Sequence, residues 1–491
     1  MHDSKQCSRH GISGAPNMQR MGTCVVPEAI EARTIEWRRT AACFRLRPDY
    51  ADVMGMESTQ RTNQLPHRLV IVGGGVAGLD IATHLAGNTA GNGSLQISLI
   101  DKEPAYVWKP MLHMIAAGTS DAGAQETAFA AQARTHGFTY QPGCATSVDR
   151  ARREIHIGPL RHGEIEVVPA RVVAYDTLLL AVGSRANDFG TPGVKDHCST
   201  IDSRSEAIAF NDELRLRLIQ AVVSNTLLTI GIVGGGATGV ELAAELIRIA
   251  AVAEEYGARG ASSHLKVLLI ESGPRLLGPF PQRVADAAHR KLSELGVTVR
   301  VSARVASVDE NGFHLVDGET IPAVLKVWAA GVKAPDLLNN MGDVKRTRSG
   351  QLVVGPTLRS VDDPHIYAVG DCASPQLPGH DNAVPTTAQA AHQQAVYMCR
   401  NLPKLIAGSQ APAASYHDFG SLVSLGGFDA YGSLGRFGFF KGGFIRGRIA
   451  QLGHAMLYRT FQARLHGPLH GSLLWLVDIL ARRVKPSARL S

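Results

Sequence analysis

A glycine-rich turn of one design occurs twice in this chain, and it constrains the fold more tightly than anything else in the sequence. From Ile71 the chain reads IVGGGVAGLDIATHL, and from Ile232 it reads IVGGGATGVELAAEL. Each copy follows an apolar run suited to a strand, Leu69-Val70-Ile71-Val72 or Thr229-Ile230-Gly231-Ile232-Val233, and each opens a helix-like run. Gly73, Gly75 and Gly78 in the first copy fit G-x-G-x-x-G, as do Gly234, Gly236 and Gly239 in the second. That spacing meets three demands: a tight turn, close approach of backbone to a pyrophosphate, and close packing of helix on strand. The phosphates sit on N–H groups at the helix N-terminus. Here those groups come from Gly74, Val76 and Ala77, and from Gly235, Ala237 and Thr238.

One such motif is weak evidence, since a glycine-rich turn satisfies it, but the context repeats as well. A second strand-like run ends in an acid each time: Ile97 to Asp101, followed by Lys102, and Lys266 to Glu271. An acid at that place accepts the adenosine ribose hydroxyls. Each half closes on an apolar run ending in glycine, at Gly183 and at Ala330-Gly331. Two dinucleotide sites are therefore expected, and two such sites in one chain suit electron exchange between two nucleotides. Glu271 would repel a 2′-phosphate, so the second site should take NADH in preference to NADPH. The first should hold non-covalent FAD. A further strand ends in Gly370-Asp371; in the two-dinucleotide flavoproteins this chain resembles, a carboxylate there meets a flavin's ribityl or pyrophosphate region, and Asp371 also fits a plain helix N-cap. The expected fold class is α/β with two Rossmann-like domains.

Length and composition agree with a folded protein of two or three domains: 491 residues, 45% hydrophobic and 19% charged. Seven cysteines form no CxxC pair, which argues against a zinc ribbon or a redox dithiol of that type. Cys372 and Cys399 are expected to be buried structural thiols, and no metal or nucleic acid is expected. No apolar run is long enough for a transmembrane helix, and no secretory signal is legible. Charge is placed unevenly. From Lys441 to Ser491 there are nine Lys/Arg against one acid, Asp478, while the rest of the chain is close to neutral. One end of the molecule is thus suited to an anionic surface. Leu457, Phe461 and Leu465, with Arg459 and Arg464 interleaved, are expected to form an amphipathic basic helix on a bilayer.

Six stretches in order resemble the type II NADH:quinone oxidoreductases: VWKPMLHMIAAG from Val107, VGGGATGVELAAEL from Val233, VWAAGVKAPDLL from Val327, IYAVGDCA from Ile366, VPTTAQAAHQQA from Val384 and HDFGSLVSLG from His417. The resemblance covers the chain from about residue 67 onward. It implies FAD, NADH as donor and a membrane quinone as acceptor, without proton pumping. It further implies a peripheral position on the cytoplasmic face of the inner membrane. Ala388 to Gln393 resembles the family's quinone motif, which puts Gln389 and Gln393 on one helix face toward quinone, with flavin or backbone contact alone as the competing reading. Glu241 would lie near the nicotinamide–flavin contact, or simply favour its helix N-terminus. Lys109, beside Trp108 and Pro110, would lie against the flavin or be an ordinary surface lysine. Tyr106, Met114 and Thr386-Thr387 depart from some members of the family, so roles at those positions do not transfer.

The expected organisation is an extension over residues 1–66, disordered; an FAD domain in two parts, 67–200 and 346–410; an NADH domain inserted between them, 201–345; and a membrane-associating segment, 411–491. A homodimer is left open. So are two other readings: a soluble NADH-dependent flavoprotein that reduces a protein carrier, and a flavoprotein redox sensor without turnover. Sulfide:quinone reductase is disfavoured, because that chemistry needs catalytic cysteines and no NADH site.

Overall fold

A computed structural model describes residues 65–480, apart from 90–94, 122, 124–125, 379–382, 427, 435, 438–439, 442, 448–449, 451–455, 457–458, 466, 468, 470, 474 and 478–479. The expectations for the N-terminal extension, for Leu457 and for the basic residues beyond 480 fall outside the described residues. No described helix is long and apolar enough to cross a membrane.

Two parallel sheets organise the molecule. The first is built from β1 (His67–Val72), β2 (Leu95–Asp101), β3 (Thr139–Pro142), β4 (Thr177–Leu180) and β9 (Ile366–Ala368), in the order β9-β4-β1-β2-β3. The second is built from β5 (Leu228–Val233), β6 (Leu265–Ile270), β7 (Thr298–Arg300) and β8 (Leu325–Trp328), in the order β7-β6-β5-β8. Central strands such as β1, β4 and β8 are buried on both faces, which explains why they read as unbroken apolar runs rather than as alternation. The whole second sheet lies in sequence between β4 and β9 of the first. The chain crosses out and back through Arg185–Ala186 and Val332–Lys333, which pair antiparallel, and the Trp328 indole N–H ties the crossing to the Asn187 carbonyl at 2.7 Å.

Helices α1 (Val76–Thr89) and α4 (Ala237–Glu255) follow the two glycine turns. Helix α2 (Leu112–Ala117) is short and ends where Gly118 takes a left-handed conformation, φ 82°. It lies against α3 (Arg204–Val223), whose start is capped: the Ser203 hydroxyl accepts from Glu206 N, and the Glu206 carboxylate accepts from Asp202 N just before it. The Asn211 amide of α3 donates to the Ala116 carbonyl at 3.2 Å and fixes α2 in place. Helix α5 (Ala388–Ile406) packs on α1 and is capped by the Thr387 hydroxyl, which accepts from Ala390 N. An antiparallel sheet of β10 (Gly420–Leu425), β11 (Asp429–Leu434) and β12 (Phe444–Arg446) then covers α4. The contact is close enough that a Cβ on Gly426 would meet the Ala244 carbonyl oxygen at 3.0 Å.

Candidate active site

The two glycine turns have the same construction. Gly73 (φ 98°) and Gly234 (φ 116°) take conformations that side chains rarely adopt, and each backs onto a carbonyl just past β4 or β8, that of Ala181 or Ala329. A Cβ on Gly78 would fall on the Gly73 carbonyl oxygen, and one on Gly239 on the Gly234 carbonyl oxygen, so the third glycine lets the helix close on the strand. The middle glycines differ in kind. A Cβ on Gly75 would find a protein atom only at 4.0 Å and one on Gly236 would find none. That open ground is where backbone can meet a pyrophosphate, and α4 begins there with no side-chain cap on its N–H groups. The residues present therefore fit two dinucleotides.

The acids at the strand ends do more than the sequence suggests. Asp101 accepts from Gly74 N at 2.6 Å and from Glu103 N at 2.8 Å. Glu271 accepts from Gly235 N at 2.6 Å and from Gly273 N at 2.5 Å. Each carboxylate thus braces its own glycine turn and still has lone pairs for a ribose. Lys102 is exposed at the rim.

A cavity of about 160 Å³ opens beyond the first turn, lined by Ser184, Lys333, Ala334, Gln351, Asp371 and Thr386. The Ser184 hydroxyl donates to Asp371 at 2.8 Å, and the Gln351 amide donates to the Asp371 carbonyl at 3.0 Å. Lys109 donates to the Ser184 carbonyl at 2.7 Å, with Asp202 3.8 Å away. Gly183 (φ 65°) and Gly370 (φ 74°) make the two turns that bring Ser184 and Asp371 together, and the Gln394 side chain accepts from Gly370 N at 2.7 Å. The segment Gly370–Cys372 is a 3₁₀ turn, so Asp371 does not cap an α-helix. Ala388 opens α5 beside Thr386 and Thr387, and Gly331 (φ 63°) lies close against the Phe189 ring.

Glu241 is buried on α4. Its carboxylate accepts from Ser424 N at 3.0 Å, and its other oxygen lies 3.4 Å from His113 Nδ1. Burial pushes its pKa up to about 8, and neighbouring Glu245 pushes the same way, against the pull of the Ser424 N–H. Glu241 is therefore mostly neutral at pH 7, and its oxygen not bonded to Ser424 faces His113. Glu245, one turn on, is buried too, accepts from the Thr119 hydroxyl, and is raised by burial.

Gln389 and Gln393 clamp the main chain of 417–420. Gln389 donates to the Gly420 carbonyl and accepts from Phe419 N; Gln393 donates to the His417 carbonyl and accepts from His417 N. Both ends of both amides are engaged with backbone. Thiols are placed apart. Cys372 is buried and pushed up to about 12, whereas Cys399 is half-buried beside Asp80. Among the described residues every cysteine is free.

The sequence profile of the pyridine nucleotide-disulphide oxidoreductases matches residues 67–395. The type II NADH:quinone oxidoreductase of Haemophilus influenzae is 36% identical over 444 residues, spanning 86% of this chain and 99% of its own. The chain belongs to the type II NADH:quinone oxidoreductase family. The Mycobacterium tuberculosis member is 28% identical over 85% of this chain and 89% of its own. In fold, the NDH2 of Plasmodium falciparum solved with NADH superimposes with a TM-score of 0.73 at 18% identity, over 87% of this chain and 99% of that one.

For a type II oxidoreductase, the C-terminal helix is placed unexpectedly. Phe461 and Leu465 are 3% exposed and face inward, so the expectation that this face meets a bilayer is corrected. The Phe461 ring lies 5.2 Å from Tyr106 and 5.0 Å from Trp108, and Arg464 Nε donates to both Asp80 oxygens, at 2.8 and 2.7 Å. Period-four spacing is common to core and membrane faces, so the sequence did not separate them. The exposed apolar surface lies further on, at Leu469, Leu473, Trp475, Leu476, Val477 and Leu480. Sequence reasoning also missed His113, Ser184, Glu245 and Gln394. His113, Glu245 and Gln394 fall inside the stretches that carry the family resemblance, and Glu245 also stands four residues from Glu241.

Proposed function

We propose that this chain oxidises NADH and passes the electrons through a non-covalent FAD to a membrane quinone, with no proton translocation. The observation that carries the reading is the pair of glycine cradles of one construction, each braced by its own carboxylate, on two sheets of which one is inserted in the other. FAD held in the first cradle would supply hydride acceptance and electron release toward a quinone. Asp101 and the α1 N-terminus would hold the adenosine half, and Ser184, Asp371 and Lys109 the reactive end. The Lys109 ammonium would set positive charge where negative charge accumulates. Glu271 and the α4 N-terminus would hold NADH and disfavour the 2′-phosphate of NADPH.

NADH oxidation by quinone consumes one proton for each hydride delivered. Glu241, neutral at pH 7 and facing His113, is suited to hold that proton without adding charge to the site. Gln389 and Gln393 act as positioning residues: they fix 417–420 and, through it, the wall next to α5. The exposed leucines from 469 onward, with Trp475, would seat the enzyme on the bilayer, in keeping with a peripheral position on the cytoplasmic face. Anaerobic NADH should bleach the visible absorbance of the FAD-loaded protein, and a short-chain quinone should restore it. Bleaching that only a protein carrier reverses would favour the soluble reductase reading instead.

A further inference from the structure

On the side of α1 turned to α5 lies a cluster that the electron path does not use. Asp80 is 0% exposed at the first turns of α1, and His84 follows it by one turn. His392 and Cys399, two turns apart on α5, face them. One ligating atom each from Asp80, His84 and Cys399 lies within 4.8 Å of the others. His392 Nδ1 is 3.8 Å from the Asp80 carboxylate and His84 Nδ1 is 2.9 Å from it. A carboxylate, two imidazoles and a thiol, two from each of two packed helices, form a donor set of the kind that holds Zn²⁺ in tetrahedral geometry. The place of the cation is taken by the Arg464 guanidinium, which donates to both Asp80 oxygens and reaches Cys399 Sγ at 3.7 Å.

We propose that Asp80, His84, His392 and Cys399 form a site for a thiophilic divalent cation of the Zn²⁺ class, bound in competition with Arg464. Charge supports the exchange. With Arg464 in place, one carboxylate faces one guanidinium and the thiol lies beside them. With Zn²⁺ in place, two positive charges face one carboxylate and one thiolate. Each state sets the buried carboxylate against a cation, as a buried site requires. The exchange releases the Cys399 proton to solvent and the guanidinium from Asp80. His84 must move its proton to Nε2, which frees Nδ1 as a ligand. Entry is open, since the His84 and His392 side chains are 32% and 30% exposed. The soft sulfur ligand should exclude Mg²⁺. Because Arg464 belongs to the helix that sets Phe461 against Tyr106 and Trp108, metal binding should loosen that helix.

Co²⁺ is the probe, because its d–d absorption lies to the red of the oxidised flavin. Titrated into the FAD-loaded protein, Co²⁺ should give intense tetrahedral bands that saturate at one ion per chain, persist in excess Mg²⁺ and vanish on adding Zn²⁺. Cys399→Ser should weaken binding by at least about 100-fold, since even groups that only steady a metal ligand are worth about 10–100-fold. Arg464→Gln should tighten binding, because the competitor is gone; bound FAD reports whether each variant is folded. Weak octahedral absorption with no saturation overturns the site. Affinity unchanged in Arg464→Gln overturns the competition, and affinity unchanged in Cys399→Ser overturns the assignment of ligands.

Discussion

Each Glu271 oxygen accepts a hydrogen bond from the turn it supports, and this changes what its substitution should do. Glu271→Gln keeps the size, but sets an NH₂ group against the N–H of Gly235 or Gly273. A lost hydrogen bond to a charged group costs about 1.5–3 kcal/mol. The efficiency with NADH should therefore fall about 10–100-fold while that with NADPH changes less, narrowing the gap; steady-state kinetics with both donors checks it, and an unchanged gap counts against Glu271 as the ribose acid. Glu241 carries a prediction in pH. Its carboxyl is neutral below about 8 and ionises above it, so quinone reduction at saturating NADH should decline as pH rises through about 8. Glu241→Gln cannot ionise and should flatten that limb of the profile. At this scale the sequence shows which residues meet a nucleotide, because the turn dictates their types. It does not show partners across the fold: His113 and Ser424 reach Glu241 from elements far away in the chain.

The glycine turn is the element whose meaning was most legible, because its geometry tolerates little else. Gly239→Ala would set a methyl on the Gly234 carbonyl. Overpacking of that sort costs about 1–3 kcal/mol, so NADH should bind roughly 5–150-fold more weakly while FAD content is unchanged, as titration and flavin absorbance would show. The C-terminal helix was legible as a helix but not in its orientation. Its apolar period is satisfied by Phe461 and Leu465 in the core, with Arg464 held by Asp80. Phe461→Ala should lower stability by about 3–5 kcal/mol, seen as a fall in Tm. Leu473→Ser with Leu476→Ser should leave Tm in place and weaken binding to anionic liposomes, since each leucine is half-exposed and free to enter lipid.

At the scale of the molecule, insertion of one parallel sheet within the sequence of another sets two nucleotide turns in one chain, with α4, α2 and the β10–β12 sheet gathered around Glu241. The doubled turn, with its strands and acids, carries that architecture in the sequence. The docking of the C-terminal segment does not show there, because it depends on a buried charge pair between Asp80 and Arg464. That pair also shows where the chain can be cut. A cut before Lys441 removes β12 and the core residues Phe461 and Leu465, whereas a chain ending at Leu465 keeps them and loses the exposed leucines. The most direct measurement compares the full chain with that shortened one, both FAD-loaded, oxidising NADH with ferricyanide in solution and with a long-chain quinone held in anionic liposomes. Ferricyanide reduction should match in the two, while liposome binding and reduction of the membrane quinone should fall sharply in the shorter chain. Full-rate reduction of the membrane quinone by the shorter chain, or none by the full one, would contradict the account.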